Sequence, residues 1–236
     1  MSVACANRRF KAMVFDLDDT LVDSRKDYSK FRKAAISELL DLGVDQSALE
    51  PDGTVLANIL KGKDYLHRTS DSYDERELDD RLNSVLNQVE MEHIAEAKGI
   101  PGAHQAVESA LENGMVVAVL TRASRIYTVE VLKTMELNGM ITACICRDDY
   151  PFEEAKPNPI SMRRLAEMIS VSPSECIVVG DHPMDAECAK ACGAQFVGVL
   201  TGSTDRAGWK EKGCDLVIDS VADAPAILAL IVRNNC

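Results

Sequence analysis

After Gly99 the chain keeps one rhythm to its end, with short apolar runs alternating with stretches of helical spacing. Met115–Leu120, Ile141–Cys146, Cys176–Val179, Phe196–Leu200 and Leu216–Ile218 read as buried strands. Helical patterns near 103–113, 125–138, 158–169, 183–192 and 221–232 separate them. Residues 11–15 form one more apolar strand near the start. This alternation predicts βαβ units and a mainly parallel sheet with helices on both faces. In such sheets ligands sit outside the carboxyl ends of the strands.

The stretch between the first strand and Gly99 has a different period. Phe31, Ala34, Ala35, Ile36, Leu39 and Leu40 form an apolar stripe that stops at Gly43, and Leu78, Leu82, Val85, Leu86 and Val89 repeat the spacing. No strand is expected between Leu21 and Gly99. The predicted fold is therefore α/β: a Rossmann-like core from residues 1–22 and 100–236, with an all-helical cap inserted over 23–99.

Composition narrows the function classes. An apolar content of 46% suffices for a packed core, and a net charge of −12 argues against a nucleic-acid partner, which calls for a basic face. No apolar run approaches the ~20 residues of a membrane helix, and the N-terminus has no signal-peptide pattern, so a cytoplasmic protein without a membrane partner is expected. The eight cysteines, at 5, 144, 146, 176, 188, 192, 214 and 236, form no CxxC pair. Reduced, mostly buried thiols are expected, in preference to a zinc site or disulfide framework.

The chemistry gathers at the strand ends. The run "KAMVF" leads straight into Asp16, Asp18 and Asp19. Two carboxylates about 4 Å apart repel by about 4 kcal/mol at an effective dielectric of about 20, so a cation is expected among them. Thr121 and Arg122 follow "MVVAVL", Asp181 follows "CIVVG", and Lys156 lies in the loop beyond the strand at 141–146. A hard divalent ion, Mg2+, takes oxygen ligands; Asp16 and Asp181 can each supply one, with a backbone carbonyl from Asp18. Asp16 can then attack phosphorus and form an aspartyl-phosphate. Asp18 is placed to protonate the leaving oxygen and later deprotonate water. Thr121 and Lys156 would stabilise the phosphoryl oxygens by hydrogen bond and charge.

Four motifs in order carry a resemblance. Asp16-Leu17-Asp18-Asp19-Thr20 is a DxDxT, Thr121 ends a strand, Lys156-Pro157 is a lysine followed by proline, and Gly180-Asp181-His182-Pro183-Met184-Asp185 is a GDxxxD. The chain resembles the haloacid dehalogenase superfamily, in its phosphoglycolate phosphatase-like branch with a helical cap. That resemblance implies Asp16 as nucleophile and metal ligand and Asp18 as general acid/base with a backbone ligand. It also implies Asp181 as a metal ligand, and Asp185 as a further ligand or an orienting group. It places phosphate against Asp16, Leu17, Asp18, Thr121, Arg122 and Lys156. Two positions depart from the pattern: Arg122 stands where Asn or Ser is common, and His182 where Ser is common. Both bear on substrate identity.

The expected activity is Mg2+-dependent hydrolysis of a small phosphorylated metabolite, phosphoglycolate-like or a sugar phosphate. A β-phosphoglucomutase-like mutase shares all four motifs and is the alternative, followed by a silent phosphate-binding regulatory module. Thr20 is expected to support the loop through its hydroxyl. His67, His93 and His104 show no metal-ligand spacing, whereas His182 is near the site by position. Arg25, Lys26, Lys63 and Arg68 are candidates on the cap side for the rest of an anionic substrate, or residues of a solvated helical face.

Overall fold

A computed structural model of the chain describes residues 10–70, 73–92 and 94–233. Cys5, His93 and Cys236 lie outside the described residues. The chain begins with β1 (Ala12–Phe15) and β2 (Val22–Asp23), then forms three helices, α1 (Tyr28–Asp41), α2 (Val55–Thr69) and α3 (Glu75–Glu92). After β3 (Lys98–Gly99) come α4 (Ala103–Glu112), β4 (Val116–Leu120), α5 (Arg125–Thr134), β5 (Ala143–Ile145), α6 (Pro159–Met168) and β6 (Cys176–Gly180). The last elements are α7 (Pro183–Cys192), β7 (Gln195–Val199), α8 (Arg206–Glu211), β8 (Val217–Ile218) and α9 (Ala224–Arg233).

Six strands form one parallel sheet in the order β5–β4–β1–β6–β7–β8, with β1 paired to both β4 and β6. Alternation along β1 explains the two layers around it, since successive side chains of a strand point to opposite faces. Met13 and Phe15 pack with α4, α5 and α9 through Val107, Tyr127, Val131 and Leu228. Ala12 and Val14 pack the other way, with Met162 and Leu165 of α6 and Cys188 of α7. Full burial of a Phe or Met side chain stabilises by about 1.5–3 kcal/mol, so these central strands anchor whatever their ends carry.

The helices α1, α2 and α3 share a separate apolar cluster that includes Phe31, Leu39, Ile59, Leu82 and Leu86. Phe152, from the loop after β5, inserts into that cluster, so the sheet domain contributes a side chain to the core of the inserted helices. Local signals start these helices: the Asp27 carboxylate accepts from Ser29 N–H and the Thr54 hydroxyl from Ala57 N–H, each a helix N-cap.

Some expectations need correction. The segment from Leu21 to Gly99 does contain strand: β2 and β3 pair antiparallel, Val22 opposite Gly99, in pieces too short for any periodicity to reveal. The helix expected over 125–138 ends at Thr134, and 221–232 divides into a 3-10 turn (Val221–Asp223) followed by α9. The helix α8 was not anticipated. It exists to bury Trp209, whose ring lies 5.3 Å from Phe196 and whose Nε1 donates to the Val199 carbonyl at 3.1 Å. A Cβ at Gly198 would come within 2.9 Å of that indole, so glycine there lets the strand approach the ring.

Candidate active site

Because β4, β1 and β6 are neighbours, their carboxyl ends bring Thr121, Asp16 and Asp181 to one rim. Asp16 N–H still donates to the Val179 carbonyl, 2.9 Å, and beyond it the chain turns tightly: Leu21 and Val22 N–H both donate to the Leu17 carbonyl at 2.9 Å. Asp19, with φ 56°, takes the left-handed conformation the turn requires, one that aspartate tolerates better than most residues. The turn buries the Leu17 side chain in the core, so any part Leu17 has in binding belongs to its backbone. The Thr20 hydroxyl donates to Asp181 Oδ1 at 3.2 Å, tying the first strand's loop to the end of β6, as the supporting role expected of it requires.

Asp16, Asp181 and Asp185 each present a carboxylate oxygen within 4.8 Å of the others, and all three are buried or nearly so. Lys156 Nζ bridges two of them, 2.6 Å from Asp16 Oδ1 and 2.6 Å from Asp185 Oδ1. One lysine does not balance three buried carboxylates. Burial, with the Asp16 and Asp185 charges, pushes Asp181 up to about 9, and burial raises Asp16 despite Lys156. Burial works against the charge on Lys156, but the two carboxylates outweigh it and hold the ammonium above its ordinary value. A surplus of buried carboxylate oxygen with one amine among it is the donor set a hard divalent cation takes.

The Asp18 carboxylate is turned elsewhere. Its Oδ2 accepts from Lys26 Nζ at 2.6 Å, while Oδ1 is buried with no hydrogen-bond partner among the described residues. Lys26 also donates to Glu90 Oε1 of α3 at 2.7 Å and lies over the Tyr127 ring. Glu90, almost fully buried, accepts from Ser124 N–H at 2.8 Å and lies 3.6 Å from Arg147. Burial and Glu90 push the Asp18 carboxyl up, against the pull of Lys26.

Thr121 Oγ1 accepts from Ala123 N–H at 2.9 Å, which leaves its proton for another acceptor. Arg122 Nη1 donates to the Lys156 carbonyl at 2.6 Å. His182 Nδ1 accepts from Met184 N–H at 3.2 Å, while the His182 backbone N–H donates to Asp185 Oδ2 at 3.1 Å. The imidazole thus caps the start of α7, and the backbone beside it closes a capping box with Asp185.

Asp16, Asp18, Thr121, Arg122, Lys156, Asp181 and Asp185 line a cavity of about 680 Å³, closed on its other side by Tyr28, Phe31, Leu56, Leu86 and Glu90 of the inserted helices. Of the cationic candidates there, Lys26 reaches the site. Lys63 is consumed by Asp79 and Glu153, both at 2.7 Å, Arg25 pairs with Asp23, and Arg68 pairs with Asp64 on the surface. Sequence reasoning missed Glu90, which shares Lys26 with Asp18 and meets the Ser124 N–H at the start of α5, and Arg147, which follows β5 and lies 3.6 Å from Glu90. Among the described residues the cysteines are free thiols, and no helix is long and apolar enough to cross a membrane.

Residues 13–199 match a family model described as haloacid dehalogenase-like hydrolase. The phosphoglycolate phosphatase of Nitrosospira multiformis is 26% identical over 224 residues, which cover 92% of this chain and 95% of that protein. That of Pseudomonas putida is 28% identical over 218 residues, 89% of this chain and 77% of its own. A crystal structure of a hydrolase from Pseudomonas syringae, 25% identical, aligns over 94% of this chain and 99% of its own with a TM-score of 0.67. An acid-rich rim on a six-stranded parallel sheet and a family match across most of the chain lead to one assignment: this protein belongs to the haloacid dehalogenase-like hydrolases.

Proposed function

We propose that this chain is a Mg2+-dependent phosphatase that hydrolyses a small phosphorylated metabolite through an aspartyl-phosphate on Asp16. The observation that carries this reading is the buried triad of Asp16, Asp181 and Asp185 with Lys156 bridging two of its members. The named relatives are phosphoglycolate phosphatases, which favours a substrate of that size. The donor set fits a hard cation, with Asp16, Asp181 and the Asp18 carbonyl as ligands and Asp185 either ligating or orienting. When bound, Mg2+ screens the carboxylates from one another and polarises the phosphoryl group.

The residues of the chain carry the steps. An Asp16 oxygen attacks phosphorus, the ester P–O bond breaks, and Asp18 gives its proton to the departing alkoxide. The raised pKa of Asp18 is the direction a general acid needs. Asp18, now a carboxylate, takes a proton from water; that water attacks phosphorus, breaks the bond to Asp16 and frees inorganic phosphate. Lys156 Nζ and the Thr121 hydroxyl stabilise the charge that develops on the phosphoryl oxygens. Lys26 holds the Asp18 side chain in one orientation. The inserted helices, residues 23–99, act as a cap that shields the intermediate. Free thiols suit a reducing cytoplasm.

The decisive experiment is phosphate release from a panel of small phosphorylated metabolites. Activity is expected to require Mg2+, to vanish in EDTA, and to fall by at least about 10³-fold in Asp16→Asn. Undiminished turnover in that variant overturns the mechanism, and an isomerised sugar phosphate formed without phosphate release replaces hydrolysis by mutase chemistry.

A further inference from the structure

The cations that line the cavity differ in what neutralises them. Lys26 lies on Asp18 and Glu90, Lys156 on Asp16 and Asp185, and Arg147 lies 3.6 Å from Glu90. Arg122 has no carboxylate within 4.0 Å among the described residues. Its guanidinium makes one hydrogen bond, from Nη1 to a neutral carbonyl, that of Lys156. A second guanidinium crowds it, because Arg147 Nη1 donates to the carbonyl of Arg122 itself at 3.3 Å. Burial and the Arg147 charge lower its pKa to about 10, which still leaves it charged at neutral pH.

A planar group with five donors, held charged and short of an acid, suits a planar or tetrahedral oxyanion. In the proposed mechanism the transferring phosphoryl group already has Lys156, Thr121 and the ion. The opposite wall points the same way. There the cap-side cation Arg32 donates only to the Gly53 carbonyl, at 3.4 Å, again with no carboxylate within 4.0 Å among the described residues.

We propose that Arg122 binds a second oxyanion on the same substrate molecule, so that the enzyme selects phosphorylated acids over neutral phosphorylated alcohols and sugars. The inference rests on the phosphatase reading for where the scissile phosphate sits. It makes one of the two residues that depart from the family pattern the one that reads the leaving group's charge.

The test separates the two readings by measuring binding apart from turnover. Titration calorimetry with Mg2+ is performed on Asp16→Asn alone and combined with Arg122→Gln or Arg122→Lys. The ligands are ethyl phosphate, 2-phosphoglycolate and ethylene glycol bisphosphate. At least one of the two ligands with an anionic tail is expected to bind about tenfold or more tighter than ethyl phosphate, the scale of one charge-assisted contact. Arg122→Gln is expected to erase that ratio and Arg122→Lys to restore part of it. Whether phosphoglycolate or the bisphosphate shows the ratio tells a carboxylate from a second phosphate. Equal binding of all three ligands overturns the proposal, as does a ratio that survives Arg122→Gln. Uniform weakening of every ligand also overturns it and assigns Arg122 to the transferring phosphoryl group or the Lys156 loop. A preserved, Arg122-dependent ratio in a protein that releases no phosphate sinks the phosphatase reading and leaves the second-anion site standing.

Discussion

Two buried lysines, one at the sheet rim and one in the helical insertion, each lie among three carboxylates, with opposite consequences. Lys63 of α2 meets Asp79, Glu153 and Glu75, but the Glu75 and Glu153 side chains keep 58% and 38% of their exposure. Water screens that surplus negative charge, and the cluster is a tie between the insertion and the loop leading to Lys156. Lys156 meets Asp16 and Asp185, with Asp181 beside them, and none of these carboxylates has comparable access to solvent. There the surplus has no screening and demands a further cation. A buried lysine among acids is therefore no signature of catalysis by itself; what distinguishes the rim is acid with little access to water.

The largest difference between the clusters should appear in kinetics. Lys156→Met is expected to lower kcat/KM by at least about 10²-fold, through lost stabilisation of the phosphoryl oxygens. Lys63→Met should leave kcat largely intact and cost about 1–3 kcal/mol of stability, because the buried Asp79 carboxylate loses its partner. Steady-state kinetics and urea unfolding on both variants check this. Equal kinetic damage from the two substitutions would erase the distinction.

A smaller effect should appear in the dependence of stability on pH and metal. Asp181 titrates near 3.8 when unfolded and is pushed up to about 9 in the fold, by burial and then by Asp16 and Asp185. Between those values the folded chain holds a proton that the unfolded chain has released, so stability falls as pH rises through the window. Melting of EDTA-treated protein should therefore drop from pH ~6 to ~9 more steeply in the wild type than in Asp181→Asn. Mg2+ should flatten the wild-type curve and add about 2.7 kcal/mol when present at 100 times its Kd. Parallel metal-free curves for the two proteins would mean the triad is not short of positive charge.

The smallest effect concerns the scaffold of the rim. His182→Ala removes the side chain that starts α7 and should cost about 1 kcal/mol, while His182→Ser keeps a capping oxygen and should cost less. Urea midpoints for the pair measure it. Identical losses would show that the histidine contributes by packing and not by capping.

Much of the site was readable before folding because its parts are local. An apolar run, a polar residue at its end and a helix start are short-range patterns, and Asp16, Asp18, Thr121, Lys156, Asp181 and Asp185 all sit at such junctions. The parallel sheet then brings Thr121, Asp16 and Asp181 to one rim, while Lys156 reaches it on the loop after β5 and the Asp18 carboxylate turns to Lys26. Other features had no local signal. The β2–β3 pair is two residues per strand; Trp209 pulls α8 into order by burial; Phe152 leaves the loop after β5 to enter the apolar cluster of α1, α2 and α3.

From its residues alone, the chain determined an α/β core, an inserted helical module and an acid-rich rim, because alternating period and strand-end chemistry are written along the backbone in order. Only the tertiary structure decided which charges balance. Lys26 is 64 residues from Glu90, and Arg122 is 34 from the carbonyl it touches. Electrostatic energy depends on distance and burial in space, which spacing along a chain does not encode. That is why the same count of lysines and acids became a structural tie in one place and a candidate catalytic centre in the other.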